Sequence, residues 1–162
     1  MNKKIILGKK KVASIRHLLV EDAATIIESA PIEALLHKII EDPRTRHVYV
    51  LNEAKKLVGS VRMSTIVNFL FPVASVVSQV HANTQGDFLS FGAKKVSALM
   101  NKKPFYVAEN DTLSQMAMIL MREKINELPV VDTEMHVIGQ VNMYEVINSF
   151  LQSDTDITEK QK

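Results

Sequence analysis

The chain states one pattern twice, and this internal repeat constrains the fold more than any other feature of the sequence. Ile32, Leu35, Leu36, Ile39 and Ile40 recur at i, i+3, i+4, i+7 and i+8, the spacing of one helical face. Moving 81 residues on gives Leu113, Met116, Ala117, Leu120 and Met121, apolar at all five positions. At the same offset Val48-Tyr49-Val50 meets Pro129-Val130-Val131, two short apolar strands. Further on, Gly59/Gly139, Ile66/Val146, Val67/Ile147, Leu70/Phe150 and Phe71/Leu151 are 80 apart. This alignment places a one-residue slip in the turn between, residues 52–56 against 133–136, where a hairpin loop absorbs a length change without moving the core.

Each copy has an apolar lead-in. Val12, Ile15, Leu18 and Leu19 precede Ile26-Ile27, and Val96, Leu99 and Met100 precede Tyr106-Val107. Pro31 is expected at a first helical position, and Asp111 as the N-cap of a helix beginning near Thr112. The order in each copy is lead-in, strand, helix, strand, strand, helix. The chain then divides into a basic tail (1–11), a first copy (12–71), a connector (72–94), a second copy (95–152) and a polar tail (153–162). In the connector, Val73, Val76, Val77 and Val80 predict an amphipathic helix broken at 83–87, and Phe88, Leu89 and Phe91 read as core. The apolar ends 66–71 and 146–151 exceed what a small core needs and predict a homodimer.

Composition narrows the function. With 162 residues and 46% apolar content the chain can bury one ordinary core or two small ones. It has no cysteine, which removes disulfides, thiolate metal sites and cysteine nucleophiles. No apolar run reaches membrane-spanning length and no signal-peptide pattern opens the chain, so a cytoplasmic protein is expected. The pI of 8.8 comes from the tail: residues 1–11 hold five lysines and no acid, while the remainder carries 15 basic and 18 acidic residues. The body therefore has no basic excess to attract nucleic acid. The eight methionines read as adaptable core filler.

Leu128-Pro129-Val130-Val131-Asp132 followed by Ile138-Gly139-Gln140-Val141, within a doubled strand-helix-strand-strand-helix pattern, resembles a CBS domain, and two in tandem resemble a CBS pair or Bateman module. The first copy matches less closely, Val48 standing for the proline and Leu51 for the aspartate in the 81-residue alignment. The resemblance implies an α+β fold of two β-α-β-β-α units packed through their sheets about a pseudo-twofold axis. It also implies clefts that take adenine nucleotides or adenosyl compounds as regulatory ligands, with no cofactor required, and dimerisation into a disc.

The resemblance places a nucleotide's base against Tyr106 and Val107 and the main chain of Asn126, Glu127, Leu128 and Pro129. Phosphate and ribose would lie at the last turn, with Asn142 at the family's hydroxyl position, Tyr144 after it, and Glu145 at the acid that accepts from ribose hydroxyls. A second cleft would use Thr25, Ile26, Arg46, His47, Val48, Arg62, Ser64 and Thr65, where Arg62 replaces the hydroxyl and Thr65 the acid. Arg62 with Arg44, Arg46 and His47 reads either as a phosphate-binding corner or as surface charge. Glu145 reads either as the ribose acceptor or as a solvated acid near a helix start.

Catalytic readings find little support. His17, His37, His47, His81 and His136 show no ligand spacing, and with five glycines no P-loop, nucleophile elbow or dinucleotide turn is present. The expected function is a stand-alone sensor of an adenosine-type ligand that signals to an effector protein in trans. The rivals are a nucleotide-insensitive dimerisation scaffold and a divalent-ion sensor.

Overall fold

A computed structural model describes residues 8–18, 23–71, 94–144, 147–148 and 151. The expected connector helix, the aromatic residues after it, Leu19, Glu145, Val146 and Phe150 lie outside the described residues. The chain divides into two compact units, one of residues 24–104 and the other of residues 1–23 with 105–162.

In the 24–104 unit, β1 (Thr25–Ile27) runs parallel to β2 (His47–Leu51), which pairs antiparallel with β3 (Leu57–Arg62). Helix α1 (Ile32–Glu41) makes the parallel crossover and α2 (Met63–Leu70) leaves directly from β3. The parallel pair needs such a crossover, and the i, i+3, i+4 stripe supplies it with an apolar face. Leu35, Val48, Val50, Val61, Ile66 and Val96 form the core. α1 stops at Asp42, which is extended (φ −131°, ψ 109°) because Pro43 disfavours helix before it. Pro31 sits one position earlier than expected, as the N-cap, with no side-chain cap bond.

The other unit repeats this with β4 (Val107–Ala108), α3 (Leu113–Glu123), β5 (Glu127–Val131) and β6 (Val137–Asn142), in the order β4-β5-β6. A helical segment opens at Met143. Its core gathers Val12, Ile15, Val107, Leu113, Met116, Leu120, Leu128, Val130 and Val141. The N-cap of α3 is Thr112, not Asp111. The Thr112 hydroxyl accepts from Gln115 N at 3.2 Å and the Gln115 side chain accepts from Thr112 N at 2.8 Å, a reciprocal box. Asp111 instead accepts from Ala108 N at 2.8 Å, closing the strand-to-helix turn. α3 ends at Lys124, left-handed at φ 52°, with Ile125 N bonded back to Leu120 O.

The lead-ins dock by one recipe. Val96 N donates to Ala30 O, Ser97 N to Glu28 O, and Ile32 N to Lys94 O; Val12 N donates to Asp111 O, Ala13 N to Glu109 O, and Leu113 N to Lys10 O. Ala30 with Asp111, Glu28 with Glu109 and Ile32 with Leu113 are each related by the 81-residue offset, so the stretch leading into one copy closes the unit built on the other copy's strands. Gly59 is required by this docking: a Cβ there would stand 2.5 Å from Met100 Sδ and 3.1 Å from Asn101 O.

The repeat register differs from the sequence alignment. Val50 pairs with Gly59 and Val130 with Gly139, while Leu51 pairs with Leu57 and Val131 with Val137, so the hairpins are equal in length and β2 and β5 correspond at 80, not 81. The slip lies between helix and strand, where residues 42–46 replace 124–126. Tyr49 therefore stands where Pro129 stands, and Asn52 where Asp132 stands. Both side chains make the same turn bond, Asn52 Oδ1 accepting from Lys56 N at 3.0 Å and Asp132 Oδ1 from His136 N at 2.9 Å. The apolar stripes also end early, Ile40 and Met121 each being 73% exposed; Met121 and Met118, which is off the stripe and 61% exposed, are therefore not the core filler expected of the methionines.

The turn yields a pH prediction. The backbone bond from His136 N, with its side chain and Glu134 N, holds the Asp132 carboxyl below its free value of 3.8. The stabilisation this charge provides is present above that value and is lost as pH falls through the lower folded one. Asp132→Asn, copying Asn52, should fold well, and the parent's margin over it in denaturant midpoint should shrink on acidification below about pH 4. A margin independent of pH down to the onset of acid unfolding would refute this. Asp132→Ala should be less stable than both at neutral pH.

Candidate functional site

The candidate residues collect at the same end of each sheet, where the central strand begins, the last strand ends and a helix opens. In the 24–104 unit His47 pairs with Arg62, and Met63 N donates to Arg46 O at 2.9 Å. In the other unit Glu127 pairs with Asn142, and Met143 N donates to Asn126 O at 3.0 Å. These bonds fix the helix start against the strand entry, so each corner has a common main-chain frame.

Alternation in the strands sorts the side chains. Val48, Val107 and Leu128 are buried in the cores and Ile26 packs against one of them, so these positions offer a ligand main-chain groups rather than side chains. His47 and Arg62 lie on the opposite sheet face from Val48 and Val61, as Glu127 and Asn142 do from Leu128 and Val141. Thr25 pairs with Tyr49 beside this corner, Ser64 is exposed, and Thr65 is half-buried on the first turn of α2. Tyr106 is 41% exposed and Tyr144 is 81% exposed. Glu145 lies outside the described residues.

The two corners differ in three ways. In the 24–104 unit Tyr49 N donates to Ala24 O at 2.8 Å, extending β1 to three residues. Pro129 has no N–H to make the equivalent bond, so β4 is two residues long and the chain at Phe105 and Tyr106 is not tied to β5 there. Second, Asn142 Oδ1 caps its helical segment by accepting from Tyr144 N at 2.8 Å, whereas Arg62 gives α2 no side-chain cap. Third, the charge changes sign: Arg46, His47 and Arg62 stand where Asn126, Glu127 and Asn142 stand.

Arg44 does not join the basic corner. Its Nε and Nη2 reach Asp42 Oδ1 and Oδ2, both at 3.0 Å, which lowers the Asp42 carboxyl pKa and raises that of the guanidinium. Sequence reading missed the His47–Arg62 and Glu127–Asn142 pairings, which the shared hairpin length would have produced. Among the described residues no helix is long and apolar enough to cross a membrane, and no three His, Asp or Glu side chains gather to hold a metal ion.

The CBS domain profile matches residues 13–72 and 96–152. Among curated proteins the chain is similar to the chloroplastic CBS domain-containing protein CBSX1 of Arabidopsis thaliana, 26% identical over 144 residues. That match covers 82% of this chain and 61% of the relative, so the chain spans less than two thirds of that relative's length. Among solved structures, a CBS domain-containing protein of Thermotoga maritima superposes with a TM-score of 0.63 at 28% identity, covering 86% of this chain and 92% of the other. CBSX2, solved in complex with AMP, superposes with a TM-score of 0.64 at 21% identity, covering 88% and 96%.

The cap difference is directly measurable. Asn142→Ala should lower unfolding free energy by about 1 kcal/mol, while Asn142→Asp, which keeps the acceptor, should stay within a few tenths. Equal losses in the two variants by denaturant titration would show that the cap bond is not what Asn142 contributes.

Proposed function

The chain belongs to the CBS domain family, and we propose that it is a regulatory module that binds an adenosine-type ligand and passes the occupied state to an effector protein in trans. The observation that carries the proposal is the Pro129 corner. The proline leaves the chain at Phe105 and Tyr106 untied from β5, with the Tyr106 ring half-exposed beside it. An apolar wall next to main-chain groups without a ladder partner is what a purine base uses: ring faces stack and edge nitrogens bond to backbone. The AMP complex of CBSX2 supports this class of ligand for the fold. Glu145, three residues beyond Asn142, is the proposed acceptor for ribose hydroxyls, and the role is regulatory rather than catalytic.

Signalling through such a module requires differential affinity. A ligand shifts a conformational equilibrium only by the difference in its binding to the two states. The homodimer is the proposed element that reads this out. Its surface would include positions equivalent in the two copies and exposed in both: Val67 (46%) with Ile147 (53%), and Phe71 (64%) with Leu151 (58%).

Two measurements test these proposals. In calorimetric titration the parent should bind at least one of AMP, ATP or an adenosyl compound, and Glu145→Ala should weaken that binding ten- to a hundredfold, the value of about 1.5–3 kcal/mol for a charged acceptor. At one hundred times its dissociation constant the ligand should add about 2.7 kcal/mol of stability. Absence of heat with every ligand would favour the scaffold. In light scattering at micromolar protein the mass should be about twice the 18.2 kDa of one chain, and Phe71→Glu should reduce it; a concentration-independent monomer would reject the dimer.

A further inference from the structure

α1 and α3 are equivalent helices with equivalent buried faces, and their outer faces differ. Positions 33, 37, 40 and 41 are exposed on α1, and the positions 81 residues on, 114, 118, 121 and 122, are exposed on α3. At i, i+4, i+7 and i+8 each set forms one row along its helix. The α1 row is Glu33, His37, Ile40 and Glu41; the α3 row is Ser114, Met118, Met121 and Arg122. Each row holds large apolar side chains out in water, Ile40 and Met121 at 73% exposure and Met118 at 61%. Around them the charges are opposite: two acids with a histidine between on α1, a guanidinium and no acid on α3. Glu41 is held by Lys38 at 2.8 Å and Arg122 by Glu123 at 2.6 Å. The Glu41 and Arg122 side chains are still 62% and 69% exposed, so both remain open to a second partner.

Apolar groups rimmed by charge mark an interaction surface, and the charges decide what faces it. Two copies of the chain could cover these rows in two ways. Like on like would bring acids towards acids across α1 and guanidinium towards guanidinium across α3, with no counter-charge in the opposing row. Unlike on unlike would lay Ile40 against the methionines and bring the acids near Arg122. We propose that α1 of one copy seats on α3 of another, so that the homodimer is built from unlike rows. The proposal rests on the homodimer reading and adds which faces meet. Methionine suits such a seat, because an unbranched, polarizable thioether adapts to the shape of a β-branched neighbour. A two-fold dimer makes the contact twice, since a residue that meets its counterpart in the other copy is met by it in return.

The test is sedimentation equilibrium on the full chain, on Glu41→Arg, on Arg122→Glu, and on the chain carrying both substitutions. Each single reversal puts like charges into both contacts and should weaken the dimer about tenfold or more. The double variant restores opposite charges and should return to within about threefold of the parent. Loss of the local bonds to Lys38 and Glu123 cannot produce this pattern, because the double variant loses both. Under like-on-like pairing each reversal only exchanges one repulsive pair for another, so single variants as tight as the parent would overturn the assignment. A double variant no tighter than the weaker single variant would also overturn it. If the dimer persists unchanged in all three, the rows face a different protein, and the assignment falls while the dimer stands. A parent that stays monomeric at every concentration removes the dimer and this contact together.

Discussion

Everything in each unit depends on the main-chain docking of a lead-in onto a strand-to-helix turn. Without Val96 N bonded to Ala30 O and Ile32 N to Lys94 O, the first amide of α1 would have no acceptor and the core would lose the fully buried Val96. The same holds for Val12, Leu113 N and Lys10 O at the other unit. A three-stranded sheet with two helices offers little apolar surface to bury, so one additional fully covered valine is a substantial part of each core. Because each lead-in belongs in sequence to one copy and in contacts to the unit of the other, neither copy is complete as a contiguous segment.

Much of this was legible in the sequence, and the failures have physical causes. The helix stripes were readable because their 3.6-residue period carries a phase: Leu35 with Met116, and Ile39 with Leu120, are equivalents in both sequence and structure. The strand β2 carries none. From Val48 to Leu51 every residue is apolar and buried, so a shift by one position leaves the pattern unchanged and the alignment slid. The turn would have fixed it, since Asn52 and Asp132 are side chains that both close a turn on the amide four residues on. The cap of α3 was missed by one residue for a related reason. Asp111 and Thr112 are both capping types, and only the Gln115 three residues after Thr112 distinguishes them.

The candidate site was legible as a location and not as chemistry. The sequence pattern put the candidate residues at one sheet end, but cross-strand partners are a property of register, and register followed from the hairpin. Once Val50 is opposite Gly59, His47 must be opposite Arg62, and the identical count in the other hairpin places Glu127 opposite Asn142. The proline effect was likewise hidden. Pro129 is recognisable as part of a strand motif, but that its missing amide shortens β4 and releases Tyr106 follows only when Tyr49 N is seen bonding to Ala24 O in the other copy.

The two copies therefore provide an internal control that separates what the fold requires from what it leaves open. Where the main chain needs a particular bond, the residues vary within a chemical type: Asn52 and Asp132 both accept from the turn amide, and Gly59 and Gly139 both sit at the bulge of the hairpin. Where the main chain satisfies itself, as at the corner bonds from Met63 N to Arg46 O and Met143 N to Asn126 O, the side chains are free to differ. At those positions they differ in charge rather than in size or polarity alone.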